Sequence, residues 1–254
     1  MELILMIGIF IFGAIIGSFL NVCIYRVMKE ESIAYPPSHC GSCGENLKAK
    51  DLIPILSYIL LKGKCRYCKE KVSIQYPIIE AVTGFLFLLV YLKFGFSLEL
   101  IQYMFFTSIL IVIGMIDFKT QDVYTNTIIT GLIGGLIFLV IGYFTGQEIN
   151  LINYILAAVV PAGIIAIFYY FGAMGWGDVE IVFFMGLFLG FKLSLLNLFL
   201  SIIIGGIVAL IIIMIYRKKE RGAEMAFGPY IAIAGFITVM YGNEIILWYM
   251  STFF

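Results

Sequence analysis

Long apolar segments, separated by short polar loops, make up most of this chain of 254 residues. The first segment runs from Leu3 to Tyr25 without a charged side chain, and a helix needs about 20 such residues to cross a bilayer. After one long polar stretch come seven more apolar segments, at about 76–93, 100–116, 124–144, 150–171, 179–191, 193–216 and 226–250. The pattern predicts an all-α polytopic membrane protein with about eight transmembrane helices.

The polar stretch divides the chain into three parts. We expect a first transmembrane helix over 1–27, a four-cysteine loop domain over 28–75, and a seven-helix membrane domain over 76–254. The composition agrees, because 62% of the residues are hydrophobic and 13% are charged. Soluble domains are about 45–50% apolar and about 25% charged, so a water-soluble globular domain is excluded.

The charged residues sum to zero net charge but are unevenly distributed. If segment 179–191 crosses the bilayer, the loops 26–75, 117–123, 172–178 and 217–224 share one face and hold 14 of the 16 basic residues. Cytoplasmic loops are rich in Lys and Arg, so this arrangement predicts a cytoplasmic four-cysteine domain and both chain ends outside. A segment this short could also be re-entrant. Nothing in the charge pattern indicates a nucleic-acid surface.

Four cysteines in the polar stretch form two Cys-x-x-Cys pairs, Cys40 with Cys43 and Cys65 with Cys68. Two such turns facing each other make a closed tetrahedral sulfur cage, which is typical of structural zinc. A redox pair and an iron–sulfur cluster are the alternatives. His39, which precedes the first cysteine, is expected to be a bystander because four thiols already complete the cage.

Carboxylates within membrane segments are costly, so each is a candidate functional group. Asp117 ends one predicted span and Asp178 precedes another, and the predicted topology puts both at the cytoplasmic side. Two carboxyl groups that share one proton can perform aspartic-protease chemistry. A proton- or ion-coupled transporter remains equally open from these residues alone. Asp122 is a less favoured alternative to Asp117, and Glu80 begins the second predicted span.

Short motifs lie in order along nearly the whole chain. They are Gly17-Ser18-Phe19-Leu20-Asn21-Val22, Tyr25-Arg26, Pro36-Pro37-Ser38-His39-Cys40, Pro54-Ile55-Leu56-Ser57-Tyr58, Tyr76-Pro77-Ile78-Ile79-Glu80, Ile116-Asp117-Phe118, Gly175-Trp176-Gly177-Asp178 and Phe227-Gly228-Pro229-Tyr230. With the two cysteine pairs, this series resembles the type IV prepilin peptidases, which are leader peptidases and N-methyltransferases of the bacterial inner membrane. One departure is Val123-Tyr124-Thr125-Asn126, where the family commonly has a proline before Asp or Asn.

The resemblance implies specific roles. Asp117 and Asp178 would be the catalytic aspartates, and the four cysteines would bind zinc. Substrates would be prepilins or pilin-like secretion proteins, cleaved after a glycine on the cytoplasmic side. S-adenosylmethionine would then methylate the new N-terminal residue. No glycine-rich nucleotide-binding loop is visible, so the residues that bind the methyl donor stay unassigned, with the loop 26–75 as their expected neighbourhood.

Overall fold

The computed structural model describes residues 2–215 and 226–253, and the predicted basic cluster at 217–221 lies outside them. Within these ranges, seven helices are long and apolar enough to cross a membrane. They are α1 (Glu2–Met28), α3 (Gln75–Phe94), α4 (Leu98–Thr120), α5 (Thr125–Phe144), α6 (Leu151–Tyr170), α7 (Trp176–Ile215) and α8 (Gly228–Phe253), while α2 (Leu56–Leu60) is a short helix in the four-cysteine loop. The described residues contain no β-strand, which confirms the predicted all-α class.

Helix α7 corresponds to the two predicted spans at 179–191 and 193–216. It breaks at Gly190, whose φ of 71° and ψ of 170° are not helical. The Asn153 side chain of α6 accepts a hydrogen bond from the Phe191 backbone N–H at 3.3 Å, just after the break. The first arm, 176–189, is about 21 Å long, so it is shorter than the roughly 30 Å hydrocarbon core.

The helices expose many large apolar side chains, while several polar side chains are buried among apolar ones. Asn21 and Thr107 are each 1% exposed, whereas Ile4 is 75% and Phe144 is 81% exposed. Helices that face lipid show this distribution, because lipid solvates the apolar side chains. The burial pattern therefore agrees with a membrane-embedded protein.

The chain divides into two compact units, Met1–Val112 and Ile113–Phe254. In the first unit α1 packs against α3. A Cβ at Gly17 would lie 2.8 Å from the Cα of Glu80, so only glycine permits this approach of the two backbones. In the second unit α7 packs against α5, α6 and α8. The cysteine residues belong to the first unit and the two candidate catalytic aspartates to the second.

Candidate active site and metal centre

Asp117 lies in the last turn of α4 and is 4% exposed. Its Oδ2 accepts a hydrogen bond of 2.7 Å from the backbone N–H of Gly228, the first residue of α8. The first N–H groups of a helix have no partner within the helix, and the helix dipole there favours a negative charge. The amino end of α8 therefore holds an Asp117 carboxylate at a defined position.

Asp178 is the third residue of α7 and is 8% exposed. Its Oδ2 accepts a hydrogen bond of 3.2 Å from the backbone N–H of Gly175, which directly precedes the helix. This is the arrangement of a helix-capping carboxylate. The neighbouring Glu180 carboxylate instead accepts the indole N–H of Trp176 at 3.0 Å.

Gly228 lies between Asp117 and the helical turn that follows Asp178. A Cβ at this position would lie 2.6 Å from Asp117 Oδ2 and 3.1 Å from the Ile181 side chain, which is one helical turn after Asp178. The second unit thus brings the two aspartates into one region, although 61 residues separate them. Asp122, the less favoured alternative, is exposed.

The loop between α4 and α5 packs against the glycine motif that contains Asp178. A Cβ at Gly177 would lie 2.4 Å from Val123 Cγ2, so a larger residue would displace this loop. Val123 belongs to the stretch that lacks the proline common in the family, yet α5 begins at Thr125, close to the predicted start at 124. Glycine at 177 therefore positions the loop that follows Asp117.

The four cysteines of the loop domain meet in one cluster. Their sulfur atoms all lie within 4.8 Å of one another, and the Sγ atoms of Cys40 and Cys68 are 3.9 Å apart. A disulfide would require about 2.05 Å, whereas two thiolates on one zinc ion are about 3.8 Å apart, given a Zn–S bond of about 2.3 Å. The four thiols can therefore hold a metal ion. The predicted bystander His39 is not part of the cluster, and its Nδ1 lies 3.1 Å from the Pro37 carbonyl oxygen.

Both cysteine pairs are held by the same backbone turn. The N–H groups of Cys40 and Cys65 donate to the carbonyls of Glu45 and Glu70, five residues further along the chain. The fourth residue after each first cysteine has a left-handed backbone, with φ of 72° at Gly44 and 64° at Lys69. This pair of equivalent turns is an internal repeat that the sequence analysis missed.

The close packing of the four thiols shifts their pKa values in opposite directions, and the neighbouring sulfur atoms help to raise the pKa of Cys68 to about 11. The backbone N–H groups of Cys43 and Ser42 hydrogen-bond to the Cys40 sulfur and lower the pKa of its thiol from 9.0 to about 6. Metals bind the thiolate form, so a lowered thiol pKa reduces the cost of binding. A hydrogen bond from Arg66, at 2.5 Å, holds the pKa of Asp51 below its ordinary value and ties the second turn to the loop before it.

Glu80 is also a buried carboxylate, and it belongs to the first unit. It is 6% exposed, and its Oε2 accepts a hydrogen bond of 2.6 Å from the backbone N–H of Ile55. The Ser18 hydroxyl also hydrogen-bonds to this carboxyl group. Sequence reasoning named Glu80 but could not identify Ser18 or Ile55 as its partners, although all three lie in motifs noted above.

Comparison with known proteins gives consistent matches along the chain. Residues 11–94 match the bacterial peptidase A24 N-terminal domain, and residues 104–210 match the type IV leader peptidase family. A Pseudomonas putida protein named prepilin leader peptidase/N-methyltransferase is 31% identical, over 92% of this chain and 90% of its own length. A Bacillus subtilis protein of the same name is also 31% identical, over 96% of this chain and 97% of its own length. No solved structure matches the chain significantly.

Proposed function

The chain belongs to the type IV leader peptidase family, and from that membership we propose that it is a membrane aspartic endopeptidase that removes the leader from prepilins or pilin-like proteins. The observation that carries the proposal is the pair of buried aspartates in the second unit, of which Asp117 is held by Gly228 and Asp178 by Gly175. Family membership leaves the transporter hypothesis without support.

The proposed mechanism uses the two carboxyl groups and one water molecule. The ionised aspartate takes a proton from water, whose oxygen attacks the carbonyl carbon of the scissile peptide bond. The protonated aspartate gives its proton to the carbonyl oxygen, and the tetrahedral intermediate then breaks its C–N bond as the leaving amine gains a proton. Backbone N–H groups of Gly228 and Gly175 keep the two carboxyl groups in place through this exchange.

The proposed site of cleavage is the cytoplasmic face of the inner membrane. Prepilins carry a basic leader next to a hydrophobic helix, so the bond between them lies at the membrane interface. Asp178 is in the first turn of its helix and Asp117 is in the last turn of α4, which suits a bond at the interface. The basic residues of the loops support the cytoplasmic side.

We also assign zinc and a second reaction to the protein. Zinc would be held by Cys40, Cys43, Cys65 and Cys68, and its closed sulfur coordination would stabilise the loop domain. The second reaction is methylation of the new N-terminal amine by S-adenosylmethionine. The amine nitrogen bonds to the methyl carbon, the carbon–sulfur bond breaks to give S-adenosylhomocysteine, and the amine loses one proton.

The test is incubation of the purified chain with a leader-bearing pilin peptide, with and without S-adenosylmethionine, followed by mass analysis. We expect a cleaved product in both reactions and an additional 14 Da, about one methyl group, only with the methyl donor. Asp117→Asn and Asp178→Asn should each abolish cleavage, while the exposed Asp122→Asn should cleave normally. Normal cleavage by either of the first two variants would contradict the proposed mechanism.

A further inference from the structure

The first unit contains a cavity of about 380 Å³ that is lined in part by Cys40 and Cys65 of the four-cysteine cluster. Its wall includes Ser18, Tyr25 and Arg26 of α1, Tyr58 of α2, and Tyr76 and Glu80 of α3. Sites for small molecules and cofactors have volumes of about 300–1,000 Å³ and combine apolar walls with a few fixed polar groups. Size and lining therefore fit a ligand the size of a nucleoside conjugate.

Arg26 is a buried cation without a buried anion beside it. It is 4% exposed, and its guanidinium donates to the backbone carbonyls of Ser32, at 2.9 Å, and of Pro36 and Pro37. Within residues 2–215 and 226–253, no carboxylate lies within ion-pair distance of it. Backbone carbonyls orient the guanidinium but do not neutralise its charge, and a buried charge is costly unless it is paired.

Glu80, on the same cavity wall, is a buried acidic residue without a described cation beside it. Its partners are the Ile55 N–H and the Ser18 hydroxyl, and no described cation pairs with it. The other charged residues of the cavity do not neutralise either group, since Asp51 pairs with Arg66 and the remaining ones are exposed at its rim.

The backbone that presents the Ile55 N–H is strained. Ile55 has φ of 61° and ψ of −51°, in a tight turn closed by a hydrogen bond from the Leu56 N–H to the Pro54 carbonyl. A positive φ is a clear outlier for a β-branched residue. Such strain persists where the surroundings enforce it, and it is concentrated at functional sites. Here it keeps the Glu80 carboxylate at a fixed place in the cavity wall.

From these contacts we infer that this cavity is the binding site for the methyl donor, S-adenosylmethionine. The donor carries one carboxylate and two cationic groups, so its carboxylate pairs with Arg26 and a cationic group pairs with Glu80. Each buried charge of the protein then gains the partner that it lacks. The rings of Tyr25, Tyr58 and Tyr76 offer flat surfaces for the adenine base. This inference rests on the proposed methyltransferase activity, and it names the site where that activity binds its donor.

The experiment measures equilibrium binding of two labelled ligands to the zinc-loaded, full-length chain in lipid nanodiscs. One ligand is S-adenosylmethionine, and the other is its decarboxylated form, which lacks the group assigned to Arg26. We expect the intact chain to prefer S-adenosylmethionine by about tenfold to a hundredfold, the range for a hydrogen-bonded charge. Arg26→Gln should remove this preference, and Glu80→Gln should weaken binding of both ligands by about tenfold or more.

Matched controls and a second measurement guard against misfolding. Lys50→Gln and Glu31→Gln remove charges of the same kind from exposed positions outside the cavity, and both should bind the two ligands as the intact chain does. Zinc content shows whether each variant retains the loop domain. If Arg26→Gln loses zinc, photolabelling of the intact chain with an azido-adenine donor analogue decides, and the label should lie on Tyr25, Tyr58 or Tyr76.

The possible outcomes separate the inference from the function on which it rests. Donor binding that is unchanged in zinc-loaded Glu80→Gln, or a label outside the cavity, overturns the assignment of this site while methylation stands. Failure of the intact chain to bind the donor or to form a methylated product, while cleavage proceeds, overturns both methylation and this inference. Absence of cleavage counts against the peptidase alone, because donor binding is measured independently.

Discussion

The hydrogen bond between Gly228 and Asp117 gives a sharp test of the proposed active-site geometry. Gly228→Ala adds one methyl group at the amino end of α8 and leaves both aspartates in the chain. That methyl carbon would lie 2.6 Å from Asp117 Oδ2 and 3.0 Å from its Cγ. These distances are well below van der Waals contact, so the carboxylate and the helix end must separate.

The size of the effect follows from the distance. Restoring a contact of about 3.4 Å from 2.6 Å requires a shift of about 0.8 Å, which breaks the 2.7 Å hydrogen bond from the Gly228 N–H. A misplacement of about 1 Å in a catalytic group can reduce a rate by about a hundredfold, or about 2.7 kcal/mol in the activation barrier. We therefore expect kcat for leader cleavage to fall about a hundredfold.

The assay compares cleavage of a leader-bearing pilin peptide by Gly228→Ala, by Gly206→Ala and by the intact chain. Gly206 is the matched control, because a Cβ there meets no atom within 4 Å. Rates are normalised to the folded fraction, measured from thermal unfolding in the same lipid. Cleavage by Gly228→Ala at the rate of the control would refute the role given to this contact and to the placement of Asp117.

Three further expectations concern the metal and the helix break. Elemental analysis should find about one zinc ion per chain, and its removal by a chelator should expose the four-cysteine loop to proteolysis; an intact loop after complete removal would count against a structural zinc. Asp51→Asn should speed zinc release at pH 7, because it removes the ionised carboxylate that accepts hydrogen bonds from Arg66 and Tyr67 beside the second cysteine pair. The control Glu31→Gln should release zinc at the rate of the intact chain. Gly190→Ala should lower the unfolding temperature, since φ of 71° is unfavourable for alanine and its Cβ would meet the Asn153 amide at 2.8 Å. Gly163→Ala, where a Cβ meets no atom, should lower it by no more than the small propensity cost of the exchange; equal shifts in the two variants would contradict the strain assigned to Gly190.

The helices were predictable because each transmembrane segment is a continuous apolar run. The break in α7 is a feature that hydropathy alone could not locate. Hydropathy predicted a division between the spans at 179–191 and 193–216, and the structure places the break at Gly190 within one long helix. The chain has 26 glycines, and hydropathy does not tell which of them adopts a positive φ. That choice depends on Asn153 of a neighbouring helix.

For the candidate site, the sequence predicted the functional side chains but not the groups that hold them in place. Asp117 and the four cysteines could be named as candidates because carboxylates in membrane segments and paired thiols are often functional. Their partners were not, because Gly228 is 111 residues from Asp117 and Ile55 is 25 residues from Glu80. Nearly every residue has a backbone N–H group, so the sequence does not indicate which of these groups will donate a hydrogen bond to a given carboxylate.

The position of Asp117 argues for function over stability. An anion is disfavoured at the carboxyl end of a helix, where the dipole is negative, and Asp117 lies in the last turn of α4. Burial adds a further cost. Asp178 differs, because a carboxylate in the first turn of its own helix is an ordinary cap. For Asp117 the compensation comes from another helix, through the Gly228 N–H, and it requires a glycine at that position. A fold optimised for stability alone would have a neutral residue at 117, so the arrangement is best explained by the chemistry of the carboxylate pair.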